Sequence, residues 1–146
     1  MTAPTAPRAA VERTTVLVDH AELHASLTGL FAGHGIPDAR ARLAADALCH
    51  GDLTGLESHG VFNLTRLYLP LLESGRCDPR AVPEALTDLG ACVAVDARRA
   101  LGLWAAAEAM DDAVAQAGTG SGWCRCVGRP TSGAPASTPH APRAPG

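Results

Sequence analysis

A serine and a histidine stand side by side at Ser58 and His59, followed by Gly60, in the stretch ADALCHGDLTGLESHGV. A neutral imidazole near pH 7 can accept or donate a proton, and an adjacent hydroxyl can orient the ring that does so. Gly60 has no Cβ and so lets another group approach the backbone beside the histidine closely. By residue chemistry alone the pair fits two roles. It can be a proton-transfer site, or a helix N-cap next to a surface histidine, since serine is a common acceptor for an unpaired N–H at a helix start. The other reactive side chains offer less. His20, His24, His34 and His50 are read as exposed helix residues without a tight His-x-x-x-His face completed by a carboxylate, so no metal is assigned. Cys124 and Cys126 form a C-x-C with no second ligand pair and are read as incidental thiols, and Trp104 is read as a core or dimer contact.

Helices on either side must position that segment. Asp19 followed by Glu22 forms a capping box, and Leu23, Leu27, Leu30 and Phe31 then fall on one stripe, which predicts a helix to about Ala32 closed by Gly33 or Gly35. Pro37 suits a first helical turn, and Leu43, Ala44, Ala47 and Leu48 extend a second helix to about Asp52. Val61, Leu64, Tyr68, Leu71 and Leu72 predict a third helix closing at Gly75, bent or interrupted by Pro70. GACVAVD reads as one short strand near residues 91–96. The Ala-rich run after it reads as a fourth helix with Leu103, Ala107, Met110 and Val114 inward. Residues 1–15 lack periodicity and are expected to be a disordered leader. Residues 121–146 contain Pro130, Pro135, Pro139, Pro142 and Pro145 and are expected to be a disordered tail with no core to join.

With 146 residues, 47% hydrophobic and 18% charged, the chain suits a single globular core, expected over residues 16–120. Its net charge of −3 and the scattering of its 12 Lys and Arg residues argue against nucleic acid or an acidic membrane as partner. The 5 cysteines are odd in number and irregular in spacing, which suits a reducing, cytoplasmic setting better than a disulfide framework. Apolar runs such as Leu67 to Leu72 are too short to span a bilayer, and the N-terminus lacks a hydrophobic signal core, so neither anchoring nor export is expected.

The segment DLTGLESHGVFNLTRLYLPLLESG resembles the acidic-leucine, glycine, Asp/Glu-Ser-His-Gly-Val segment of the malate/L-lactate dehydrogenase family of NAD(P)-dependent oxidoreductases, which includes ureidoglycolate and sulfolactate dehydrogenases. The likeness runs from Ala44 through Asp46, Asp96 and Gly102 to Gly118, about half the chain. This family is distinct from the Rossmann dehydrogenases, so the lack of a G-x-G-x-x-G fingerprint does not oppose the resemblance. The resemblance implies an α+β, non-Rossmann fold of which this chain holds mostly the helical N-terminal part. It also implies a cytoplasmic homodimer, NAD or NADP as cofactor, and a small 2-hydroxy or 2-oxo acid as substrate. His59 is similar to the histidine that exchanges a proton with the substrate's 2-hydroxyl or 2-oxo oxygen, and Ser58 to its helper. Many members carry a carboxylate-binding arginine four residues after the histidine. Asn63 stands there instead, with Arg66 one turn further along, and these two are the candidate substrate-binding residues. No cofactor-binding residue is assigned. The rival reading is a small helical interaction module in which Ser58 and His59 form a cap.

In the family, the helix ending near Gly118 leads into a strand of the type VGVVSVR and then a Thr/Asn-His-Phe-Gly turn that helps hold the nicotinamide. Here SGWCRCVGRPTSG follows. Written with permitted codons, Ser121 to His140 can be read one base earlier as VGVVSVRGATHFGCAGQHAP, which resembles the missing segment. A truncated or frameshifted N-terminal fragment, inactive by itself, is therefore expected. Sequencing the locus should reveal the remaining family sequence in that earlier frame beyond the stop codon, and unrelated sequence there would remove the frameshift account.

Overall fold

The computed structural model describes residues 16–89, 92–117 and 123–127. Asp19 opens helix α1 (His20–Gly33) as the capping box requires, its Oδ1 accepting from the Glu22 N–H at 3.0 Å. Leu27 and Phe31 are buried, and Leu23 and Leu30 lie half-buried beside them. The helix ends where Gly35 takes φ +88°. The Gly35 N–H bonds Ala32 O at 2.9 Å and the Ile36 N–H bonds Phe31 O at 3.3 Å, a Schellman closure that also buries Ile36.

Helix α2 (Asp38–Leu53) starts directly after Pro37, whose missing N–H is harmless at a helix start. Its buried face is built from Ala41, Ala44, Ala45, Leu48, Cys49 and Gly51, mostly small residues that let other elements come close. The third expected helix is broken into short pieces. Two 3-10 turns, Glu57–His59 and Val61–Asn63, lead into a π turn at Leu64–Tyr68 and then helix α3 (Leu69–Glu73). Pro70 has no N–H for the Arg66 carbonyl, and the ladder slips so that the Leu69 N–H reaches Leu64 O. The interruption expected at Pro70 is present, and the irregularity reaches back to His59.

Three strands form one sheet in the order β1 (Glu84–Asp88), β2 (Cys92–Asp96), β3 (Trp123–Val127). Strands β1 and β2 are antiparallel with an irregularity between Ala85 and Thr87, and β2 and β3 are parallel, pairing Val93 with Cys124 and Val95 with Cys126. The α+β class expected by resemblance holds, but the expectation of one strand is corrected. Strand β1 carried no signal because all five of its residues are exposed, so no apolar alternation marks EALTD. Strand β3 lies inside the tail expected to be irregular. It ends before the first proline of that tail, Pro130, and WCRCV contains nothing that breaks a ladder. The leader over 1–15 and the tail beyond 127 lie outside the described residues.

Helix α4 (Gly102–Ala117) joins β2 to β3 in sequence. Its inward face is also corrected: Leu101, Trp104, Ala105 and Ala113 are buried, Leu103 and Ala107 are half-buried, and Met110 and Val114 are exposed. The rotation follows from Trp104, the bulkiest fully buried side chain, which fixes the register of the helix. Arg40 on α2 lies over the indole, its Cζ 3.9 Å from the ring centre. The same guanidinium grips Glu108 through Nε–Oε1 at 2.7 Å and Nη2–Oε2 at 3.0 Å, and donates from Nη1 to Ala81 O at 2.7 Å. Among the described residues no helix is long and apolar enough to cross a membrane.

Trp104→Ala should lower the unfolding free energy by about 3–5 kcal/mol, the cost of emptying an indole-sized site. Trp104→Phe should lose less than half as much, because it keeps the ring face under Arg40 and removes an indole N–H that has no partner. Urea unfolding followed by far-UV circular dichroism measures both, and equal losses would contradict the packing account.

Candidate functional site

The Ser58–His59 pair is placed by the end of α2. Gly55 at φ +74° turns the chain, Leu56 N–H returns to Gly51 O at 2.8 Å, and Thr54 Oγ1 donates to His50 O at 2.8 Å. A 3-10 turn follows, with His59 N–H on Leu56 O at 2.7 Å and Gly60 N–H on Glu57 O at 3.2 Å. Ser58 therefore sits inside a turn and not at its cap. No side chain caps that turn, and Ser58 Oγ instead meets His59 Nδ1 at 3.0 Å. The N-cap reading is thereby corrected. When Nδ1–H donates to Ser58 Oγ, Nε2 carries the free lone pair, the tautomer suited to accepting a proton. His59 is exposed.

The close approach expected at Gly60 is made by Asp52. A Cβ on Gly60 would lie 1.7 Å from Asp52 Oδ1, and Asp52 Oδ2 accepts from the Val61 N–H at 3.1 Å. Gly51 is pressed against the same peptide from α2, and a Cβ there would be 2.7 Å from His59 O. Sequence reasoning passed over both residues. Asp52 was visible only as the acidic residue opening DLTG, and Gly51 as a glycine within a helical pattern.

The two candidate substrate residues are treated differently by the fold. Asn63 donates from Nδ2 to Ser58 O and so closes the turn under the pair. Arg66 lies on the π turn, exposed, with its Cζ 4.6 Å from the Phe62 ring centre.

Other reactive groups are quiet or elsewhere. Burial pushes the Cys77 thiol up to about 11 against the opposing pull of Arg76 and Arg99. Burial also raises Cys49, with Asp46 and Asp52 adding to it, and raises the Tyr68 phenol. These groups are protonated at neutral pH and are not nucleophiles. The reading of the histidines needs a correction. His20 and His24 do stand one turn apart on α1, ring centres 6.2 Å apart, and His24 Nε2 lies 2.9 Å from Asp46 Oδ1 on α2. The contact joins α1 to α2 through side chains. Among the described residues no three His, Cys, Asp or Glu groups gather as a metal would need.

The cavity between α4 and the sheet, lined by Pro83, Val95, Ala97, Ala105, Glu108 and Asp112 among others, has about 40 Å³, room for a water molecule or two.

Comparison with known proteins gives the context. Residues 18–136 match the malate/L-lactate dehydrogenase family. The chain is 37% identical over 82 residues to Delta(1)-pyrroline-2-carboxylate reductase 2 of Burkholderia multivorans, covering 56% of this chain and 24% of that protein. It is 31% identical over 93 residues to 2,3-diketo-L-gulonate reductase of Escherichia coli, covering 64% of this chain and 28% of that one. The solved delta1-piperideine-2-carboxylate reductase of Pseudomonas syringae superposes with a TM-score of 0.63 at 30% identity, over 72% of this chain and 31% of that one. The matched parts thus span 24% to 31% of the length of these relatives, and the chain belongs to the malate/L-lactate dehydrogenase family.

Proposed function

We propose that this chain carries the proton-transfer pair of an oxidoreductase that interconverts a 2-hydroxy acid and a 2-oxo acid. The hydrogen bond between Ser58 Oγ and His59 Nδ1 carries the reading, because it orients an exposed imidazole in a family of dehydrogenases. As the alcohol carbon is oxidised, the hydroxyl proton passes to His59 Nε2. In the reverse direction Nε2–H donates to the carbonyl oxygen as it gains charge. Ser58 Oγ accepts from Nδ1–H in both directions, from the neutral ring before it takes the proton and from the imidazolium before it gives it back. NAD or NADP is the proposed hydride partner.

Arg66 is the better candidate for the substrate carboxylate. Asn63 has committed one N–H of its amide to Ser58 O, and the N–H and carbonyl oxygen that remain supply no charge to a carboxylate. Arg66 supplies a positive charge on a guanidinium already stacked on Phe62. The named substrates of the relatives, a pyrroline-carboxylate, a diketogulonate and a piperideine-carboxylate, are organic acids, which suits such a partner. The proposed setting is a cytoplasmic homodimer. Exposed Leu53, Leu56 and Phe62 beside the pair fit the rival reading of an interaction module, and the next measurement separates the two.

In a chain extended to the full length of its relatives, His59→Ala should lower turnover by about 10²–10⁴, the worth of a positioned acid/base, and leave cofactor affinity unchanged. Unchanged turnover would remove His59 from the chemistry. Residues 1–146 alone should show no saturable NADH or NADPH binding in a fluorescence titration, because hydride transfer needs a nicotinamide held at near contact and GRPTSG stands where the resemblance calls for the His-Phe-Gly turn that helps hold it. Saturable binding at micromolar cofactor would overturn that assignment.

A further inference from the structure

The two carboxylate oxygens of Asp52 do different work at the end of α2. Oδ2 accepts from the Val61 N–H at 3.1 Å, satisfying a donor at the start of the Val61–Asn63 turn. Oδ1 lies against Gly60, where a Cβ would come within 1.7 Å of it and 2.4 Å of Cγ. Gly60 has φ −93° and ψ −156°, extended backbone that any residue adopts. The glycine is therefore demanded by Asp52 and not by its own conformation. Across the same peptide, a Cβ on Gly51 would fall 2.7 Å from His59 O and 2.9 Å from Gly60 N. The peptide linking His59 to Gly60 is thus held between the backbone of α2 and the first polar side chain after Gly51. Its Cα at the His59 end bears the imidazole, whose second anchor is Ser58 Oγ.

We infer that Asp52 is the positioning residue for His59. By accepting from Val61 and filling the space over Gly60, it fixes the 59–60 peptide, so that the ring keeps Nδ1 on Ser58 and presents Nε2 outward. An acceptor oxygen of this length at position 52 is what the geometry uses. Asparagine supplies the same oxygen, whereas alanine supplies none. A Cβ at position 60 must displace Asp52 and break the bond to Val61, so the two positions act as one unit. Calling the role positioning rests on the proton-transfer reading of His59, but the geometry itself is testable without turnover.

The test uses the 146-residue chain with ¹⁵N-labelled histidine and amide hydrogen exchange, in Asp52→Ala, Asp52→Asn, Gly60→Ala and the Asp52→Ala/Gly60→Ala double variant. Asp52→Ala should speed Val61 amide exchange about two- to tenfold, the worth of one hydrogen bond, and move the two His59 ring nitrogen shifts toward a common averaged value. Asp52→Asn should restore both readouts. Gly60→Ala should reproduce the alanine result at position 52, and the double variant should be no worse than either single one. Unaltered His59 shifts in Asp52→Ala, failure of Asp52→Asn to restore them, or additive effects in the double variant would each overturn the assignment. So would faster exchange across Phe31 and Leu48 with His59 unmoved, the pattern of a residue that only stabilises the fold. Should these readouts behave as expected while His59→Ala in the extended chain keeps its turnover, Asp52 still positions the ring and the functional reading falls alone.

Discussion

The small side chains on the inner face of α2 are the constraint on which the other elements depend. Ala41, Ala44, Ala45 and Gly51 let α1, α4 and the Ser58–His59 turn all close on one helix, and larger groups at these positions would push at least one of them away. The two ends of α2 then carry different duties. Near its start, Arg40 stacks on Trp104 and grips Glu108, tying α2 to α4 across the main core. At its end, Gly51 and Asp52 hold the peptide beside His59. One helix therefore couples the stability of the fold to the geometry of the site.

The energies at the two ends differ in kind. Burial of Trp104, Phe31, Leu48 and Leu101 is worth several kcal/mol per side chain, and it orders the helices whatever the turn does. The turn is exposed, and its order comes from single hydrogen bonds: Ser58 to His59, Asn63 to Ser58, and Val61 to Asp52. Each of these is worth about 0.5–1.5 kcal/mol net. The site can accordingly lose its shape without the core unfolding, and the missing side chains at Gly51 and Gly60 leave the room in which Asp52 and the 59–60 peptide pack.

What the sequence made legible follows the same division. The Asp19 cap, the Leu27–Phe31 stripe, the Gly35 closure and the break at Pro70 are local signals with a chemical cause, and each is present. Ser58, His59 and the close approach at Gly60 were also readable, since adjacency and a missing Cβ are written in the chain itself. The failures are tertiary. Helix α4 offers apolar residues on most of its circumference, so periodicity could not choose between the Met110–Val114 side and the Trp104 side, and the partner Arg40 decides it from 64 positions away in sequence. Asp52 gave no sign of its role because its partners, Gly60 and Val61, become neighbours only after the turn at Gly55.

Strand β3 shows where backbone and side-chain information part company. A parallel ladder beside β2 requires five residues of extended backbone without a proline, and WCRCV supplies them at Trp123–Val127. The pairing is made by backbone groups and asks nothing of the five side chains, and the family match over residues 18–136 includes this strand.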